Sequence, residues 1–133
     1  MKKSRSIAFF GVIIIGLFLS YFSSLNHEFT YLDDHVQVVE NSSIRSLDFP
    51  SIIEIFSGTS VGMYQPFTTL LYAIVFQLFK LDVFYYHLLS LCFHLLNTLL
   101  VFRVLEFFFK SDRLLYFLTL LFAFHPMQVE SVA

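Results

Sequence analysis

Three groups of residues in this sequence have the types and spacing to do chemistry. The first is the adjacent pair Asp33-Asp34. Neighbouring carboxylates can supply a general base, ligate a divalent metal ion, or do both. The plain alternative is a solvated acid pair or a helix cap. The second group is His87, Ser90, His94 and Asn97, whose spacings of three, four and three keep all four on one helical face. In lipid such side chains must point into a bundle or a wet cavity. As interhelical glue each would contribute about 0.6 kcal/mol. Packing suits Ser90 and Asn97, whereas the two histidines are open to substrate binding as well. The third group is His125-Pro126 with Glu130. An imidazole and a carboxylate at a helix start can bind substrate or orient a base, or simply cap the helix.

The elements that must position these groups are membrane helices. Of the 133 residues, 57% are hydrophobic, 20% aromatic and only 14% charged, against about 25% charged in an ordinary soluble domain. The 19 phenylalanines exceed what one small core can hold. Most of the surface must therefore face something other than water. The formal charge of -2 gives no reason to expect a nucleic-acid partner, and Cys92, the single cysteine, has no internal partner.

Charge and apolar runs predict a topology. Lys2, Lys3 and Arg5 precede an uncharged run from Ile7 to Leu25, long enough for a spanning helix of about 20 residues. With no small-x-small cleavage site after it, the run reads as an uncleaved first span with a cytoplasmic N-terminus. A polar loop over about 26–82 follows, carrying Glu28, Asp33, Asp34, Glu40, Asp48 and Glu54. Within it Phe49, Ile52, Ile53 and Phe56 recur at helical spacing behind Asp48 and Pro50, the pattern of a short capped helix along a membrane surface. Phe67–Phe79 is apolar but short for a span. Val83 to Phe102 is a convincing one, within a span reading of about 83–105, and Arg103, Lys110 and Arg113 follow it. That cluster belongs on the same side as the N-terminal one, so an even number of crossings separates them and Phe67–Phe79 does not cross. A third span over about 114–124 ends at His125-Pro126. Asp33, Asp34, His125 and Glu130 then share the extracytoplasmic side, with His87 at that end of its span and His94 deeper. The chain stops at Ala133 with neither a polar tail nor a completed helix, which reads as one part of a longer polytopic, all-α membrane domain.

In that order the residues resemble a known family. An acidic pair follows the first span; then come Tyr64-Gln65-Pro66-Phe67, Tyr86-His87-Leu88 with His94 and Asn97, and Phe124-His125-Pro126 with Glu130-Ser131-Val132-Ala133. Over about Phe29 to Ala133 this looks like the amino-terminal part of the TPR-containing transmembrane O-mannosyltransferase-like proteins, within the GT-C glycosyltransferase superfamily. The resemblance implies transfer of a sugar, mannose or a similar one, from a polyprenyl-phosphate-linked donor to an acceptor hydroxyl of a protein or glycan. It implies that Asp33 or Asp34 is the catalytic carboxylate of the first loop, deprotonating the acceptor hydroxyl, with His87, His94, His125 and Glu130 on the substrate side. It further implies that the short loop helices lie parallel to the membrane. Gln65 stands where the family usually has an arginine that could meet the donor phosphate. A divalent metal cofactor is left open, because an acidic pair serves metal and base chemistry equally. The membrane is bacterial inner membrane or ER; Asn41-Ser42-Ser43 fits a glycosylation sequon without deciding which. The rival reading is a non-catalytic small polytopic membrane protein, an assembly or channel-like subunit. On that reading the polar stripe packs against partner helices.

Overall fold

The computed structural model describes residues 3–29, 34–60 and 62–132, and for residues 3–5, 130 and 131 the backbone alone. Its regular elements are helical: α1 (Lys3–Tyr21), α2 (Phe49–Ser57), α3 (Pro66–Phe79), α4 (Val83–Phe108), α5 (Asp112–Ala123) and the short α6 (Val129–Val132). Shorter 3-10 or π turns cover Ser24–Asn26, His35–Val39, Ser42–Ile44 and Pro126–Gln128. Two compact units result: residues 1–26 with 87–133, and residues 27–86.

The first unit holds α1, most of α4, and α5. Helix α4 contains neither proline nor glycine over 26 residues and is, among the described residues, the one helix both long and apolar enough to cross a membrane. It runs six residues beyond Phe102. At 1.5 Å per residue it extends about 39 Å, more than a hydrocarbon core of about 30 Å. Helix α1 breaks earlier than the uncharged run predicts, at Tyr21, where a polar Ser23-Ser24 stretch leads into a 3-10 turn. Buried positions recur every three or four residues: Ile13, Leu17 and Tyr21 on α1; His87, Leu91, His94, Thr98 and Phe102 on α4; Leu115, Thr119 and Ala123 on α5. The small residues permit close approach, so that a Cβ on Gly16 would lie only 2.8 Å from Phe124 Cζ. Apart from the buried Tyr116 hydroxyl on α5, which finds no partner among the described residues, the hydroxyls that follow are satisfied locally: Ser20 donates to the Gly16 carbonyl at 2.8 Å, Thr98 to His94 at 2.9 Å and Thr119 to Leu115 at 2.8 Å. An apolar surrounding demands that economy. The opposite faces carry exposed Ile15, Leu19, Leu100, Phe107 and Phe117.

The second unit builds the loop. Asp48 caps α2, its Oδ1 accepting from Ser51 N at 3.1 Å, and Pro50 occupies the first turn, as the sequence pattern predicts. The face buried within the unit is not the apolar stripe. Ile55 is buried, whereas Phe49, Ile53 and Phe56 remain exposed. Helix α2 packs on α3 and on the turn at Ser42–Ile44 through the side that carries Ile55, leaving Phe49 and Ile53 outward and Phe56 at the edge, its ring 5.6 Å from that of Phe67. Each aliphatic side chain buried here, such as Ile44, Val38 or Ile55, contributes about 1.5–3 kcal/mol. Asn41 starts that turn. Its Oδ1 accepts from Ser43 N at 3.0 Å and its Nδ2 donates to Ser60 Oγ at 3.3 Å, so the sequon amide is engaged in holding the loop. A bridge between Ser60 and Met63, with Gly62 at a φ of 73°, closes the link into α3.

Candidate functional site

In the second unit the candidate acid sits at the start of a π turn. Asp34 leads directly into His35–Val39, a geometry rare in helices and frequent where a side chain must be re-aimed. The turn is closed by Glu40 N donating to the His35 carbonyl at 2.8 Å, and the His35 and Glu40 side chains lie 3.5 Å apart. Arg45 ties it down. The Nη2 group donates to the carbonyl of Val38 at 3.2 Å and to that of Val39, its guanidinium lies 4.3 Å above the Phe76 ring, and its own carbonyl accepts from Gln77 Nε2 at 2.7 Å. Asp34 is thereby held beside α3. The Tyr72 hydroxyl, one turn before Phe76, is pushed above its ordinary pKa by burial first and by the Asp34 charge second. The Tyr72 and Tyr86 rings pack 5.7 Å apart, with Phe29 edge-on to Tyr86 at 5.4 Å. Asp33 lies outside the described residues.

In the first unit the polar stripe divides. His87 and His94 are buried, Ser90 is half-buried and Asn97 is exposed. Thr98 takes the buried position, because inward residues on α4 step by four, three and four from His87. His94 is 4% exposed and its Nε2 donates to the Ala123 carbonyl at 2.9 Å, with Tyr21 and Phe122 rings beside it at 6.3 and 5.8 Å. His125 stands at the turn after α5, exposed, its Nδ1 accepting from Met127 N at 3.2 Å. That acceptance makes Nδ1 the unprotonated nitrogen and leaves Nε2 to carry the ring proton. Glu130 lies on α6, and its side chain is outside the described residues.

The structure therefore gathers the sequence candidates into two local arrangements. One is Asp34 with Tyr72 and Arg45; the other is His94 with the Ala123–His125 corner. Tyr72 and Arg45 escaped the sequence reading, and Tyr86 entered it only as part of a motif with no role of its own. A basic residue in an otherwise acidic loop, with Tyr72 and Phe76 one turn apart on the same apolar helix, was the available signal. Gln65 is a wall of a polar cavity of about 60 Å³ with Ser43, Glu54, Ser60 and Thr69, room for one or two waters. Among the described residues no three His, Cys, Asp or Glu side chains gather closely enough to hold a metal ion.

No protein-family model matches the chain, and no solved structure matches it. Two curated proteins do. The chain is 28% identical over 136 aligned positions to protein O-mannosyl-transferase F38B6.6 of Caenorhabditis elegans, covering 92% of this chain and 19% of that protein. It is 32% identical over 125 positions to protein O-mannosyl-transferase TMTC1 of Homo sapiens, covering 86% of this chain and 14% of that protein. Nearly the whole chain is thus similar to protein O-mannosyl-transferases, while it spans less than a fifth of the length of these relatives.

Proposed function

We propose that this chain is the amino-terminal part of a multi-pass membrane glycosyltransferase of GT-C type. The enzyme transfers mannose or a similar sugar from a polyprenyl-phosphate carrier to a protein hydroxyl on the extracytoplasmic or lumenal face. The observation that carries this reading is the similarity to two protein O-mannosyl-transferases over most of the chain. The charge pattern supports the topology. Basic residues precede the first apolar helix and follow α4, which favours a cytoplasmic N-terminus and an extracytoplasmic loop bearing the acidic pair.

In the reaction a carboxylate, of Asp34 or Asp33, takes the proton of the acceptor hydroxyl as that oxygen attacks the anomeric carbon. The new C–O bond forms as the bond from the anomeric carbon to the phosphate oxygen breaks, and the polyprenyl phosphate leaves with the electron pair. The placement of Asp34 supports a base role. Its π turn is held by Arg45 through the Val38 carbonyl, which steadies the backbone that carries the carboxylate. His87, His125 and Glu130 are assigned to the substrate side, with His125 offering its ring N–H outward from the corner.

The test uses the full-length enzyme in membranes. Asp33→Asn and Asp34→Asn should be inserted normally, and one of them should lose transfer by at least about a hundredfold. Undiminished transfer in both variants refutes the assignment of the acidic pair.

A further inference from the structure

The corner after α5 contains an exchange of hydrogen bonds that neither residue of His125-Pro126 explains alone. In a continuing helix the Ala123 carbonyl would accept from Met127 N. Here Met127 N is diverted to His125 Nδ1, 3.2 Å away, and Pro126 has no N–H to offer to Phe122. An orphaned carbonyl at Ala123, a residue with no exposed surface, would be costly in an apolar surrounding. His94 supplies the missing donor from another helix: its Nε2 reaches that oxygen at 2.9 Å. The ring is walled by Tyr21 and Phe122 and is 4% exposed, so it has no surface left to offer a ligand. Gly16 on α1 closes the other side, its hydrogen face against the Phe124 ring.

We infer that His94 is a positioning residue for His125, acting through the Ala123 carbonyl, and that it does not touch substrate. The two histidines are complementary halves of one device. His125 takes the amide that would continue the helix, and His94 satisfies the carbonyl that this leaves behind. The break is thereby fixed at His125, and the outward-facing ring N–H of that residue is held at a set angle. The consequence for transfer rests on the glycosyltransferase reading above; the consequence for the corner does not.

The test is made on the full-length protein in lipid nanodiscs with His94→Leu and His94→Gln, the amide of glutamine standing where Nε2 stands. Two quantities are measured: hydrogen exchange of the peptide covering residues 122–129, and kcat with KM for the lipid-linked donor. His94→Leu should speed exchange at the corner about tenfold, leave α1 and α4 protected, and lower kcat about ten- to a hundredfold with KM nearly unchanged. His94→Gln should restore most of both. Unchanged corner exchange in His94→Leu overturns the inference, as does failure of glutamine to restore protection. A fall in kcat equal in both variants with the corner intact also overturns it, and would mean that the ring itself contacts substrate. If Asp33→Asn and Asp34→Asn both retain transfer, the functional reading fails and the exchange result still decides the role of His94.

Discussion

Lys80 shows how a single residue can hold a connection under strain. Its φ of 58° and ψ of -128° belong to the first central position of a tight turn that glycine favours, and Asp82 N closes that turn onto the Phe79 carbonyl at 3.2 Å. The Tyr86 hydroxyl donates to the Lys80 carbonyl at 2.9 Å, and the Lys80 ammonium lies 5.1 Å from the Phe76 ring centroid. Backbone strain of this kind costs about 1–3 kcal/mol, whereas an exposed cation–ring contact contributes about 0.5–1 kcal/mol. Strain is the larger effect. Lys80→Gly should therefore raise stability by about 1 kcal/mol, read as a higher Tm in detergent micelles; a lower Tm would show that the Phe76 contact outweighs the turn.

Among the elements, α2 has a start that depends on one carboxylate. Hydrogen bonds from Ser51, and then from Ser46, hold the Asp48 carboxyl below its ordinary pKa. Because the folded pKa is the lower one, the cap contributes fully above the unfolded value of about 3.9 and is lost as pH falls through the depressed folded value. Protection of the Ser51 amide, the one that donates to the Asp48 carboxyl, should fall in acid below about pH 4, and the same amide should be unprotected at all pH values in Asp48→Ala. In Asp48→Asn the cap should persist without the pH dependence, since asparagine accepts the same bond. An acid response surviving in Asp48→Asn would place its origin elsewhere. The exposed face of this helix, with Phe49, Ile53 and Phe56, fits the membrane-surface position that its apolar spacing predicts.

For the whole molecule, orientation is the property that function requires. Arg103 lies near the far end of α4, exposed and 3.4 Å from Glu106, and on the proposed topology it would stand at the cytoplasmic end of that helix. After Cys92→Ser, single cysteines at positions 34, 112 and 125 in intact cells, treated with a membrane-impermeant thiol reagent, should label at 34 and 125 and not at 112. Labelling at 112, or its loss at 125, would mean that Phe67–Phe79 crosses the membrane and that the acidic pair and His125 lie on opposite sides.

How much was legible in the sequence differs sharply between elements and contacts. The helical pieces follow from local terms: apolar runs without proline or glycine gave α4, Asp48 with Pro50 gave the start of α2, Pro66 opened α3, and His125-Pro126 ended α5. Each depends on neighbours within a turn, so the residues alone determine it. The resemblance to O-mannosyltransferase-like proteins was legible too, because motif order survives without coordinates. Tertiary structure decided which face of each helix is inward. Asn97 and Ser90 share a helical face with the histidines by spacing, yet Thr98 takes the buried place, since an inward stripe drifts around a helix whose period is 3.6 and not 3.5. It also decided what His94 bonds: its partner lies 29 residues away on α5. The carbonyl of Ala123 needs that donor only because His125 has taken its own, a dependence between distant backbone groups that no spacing along the chain records.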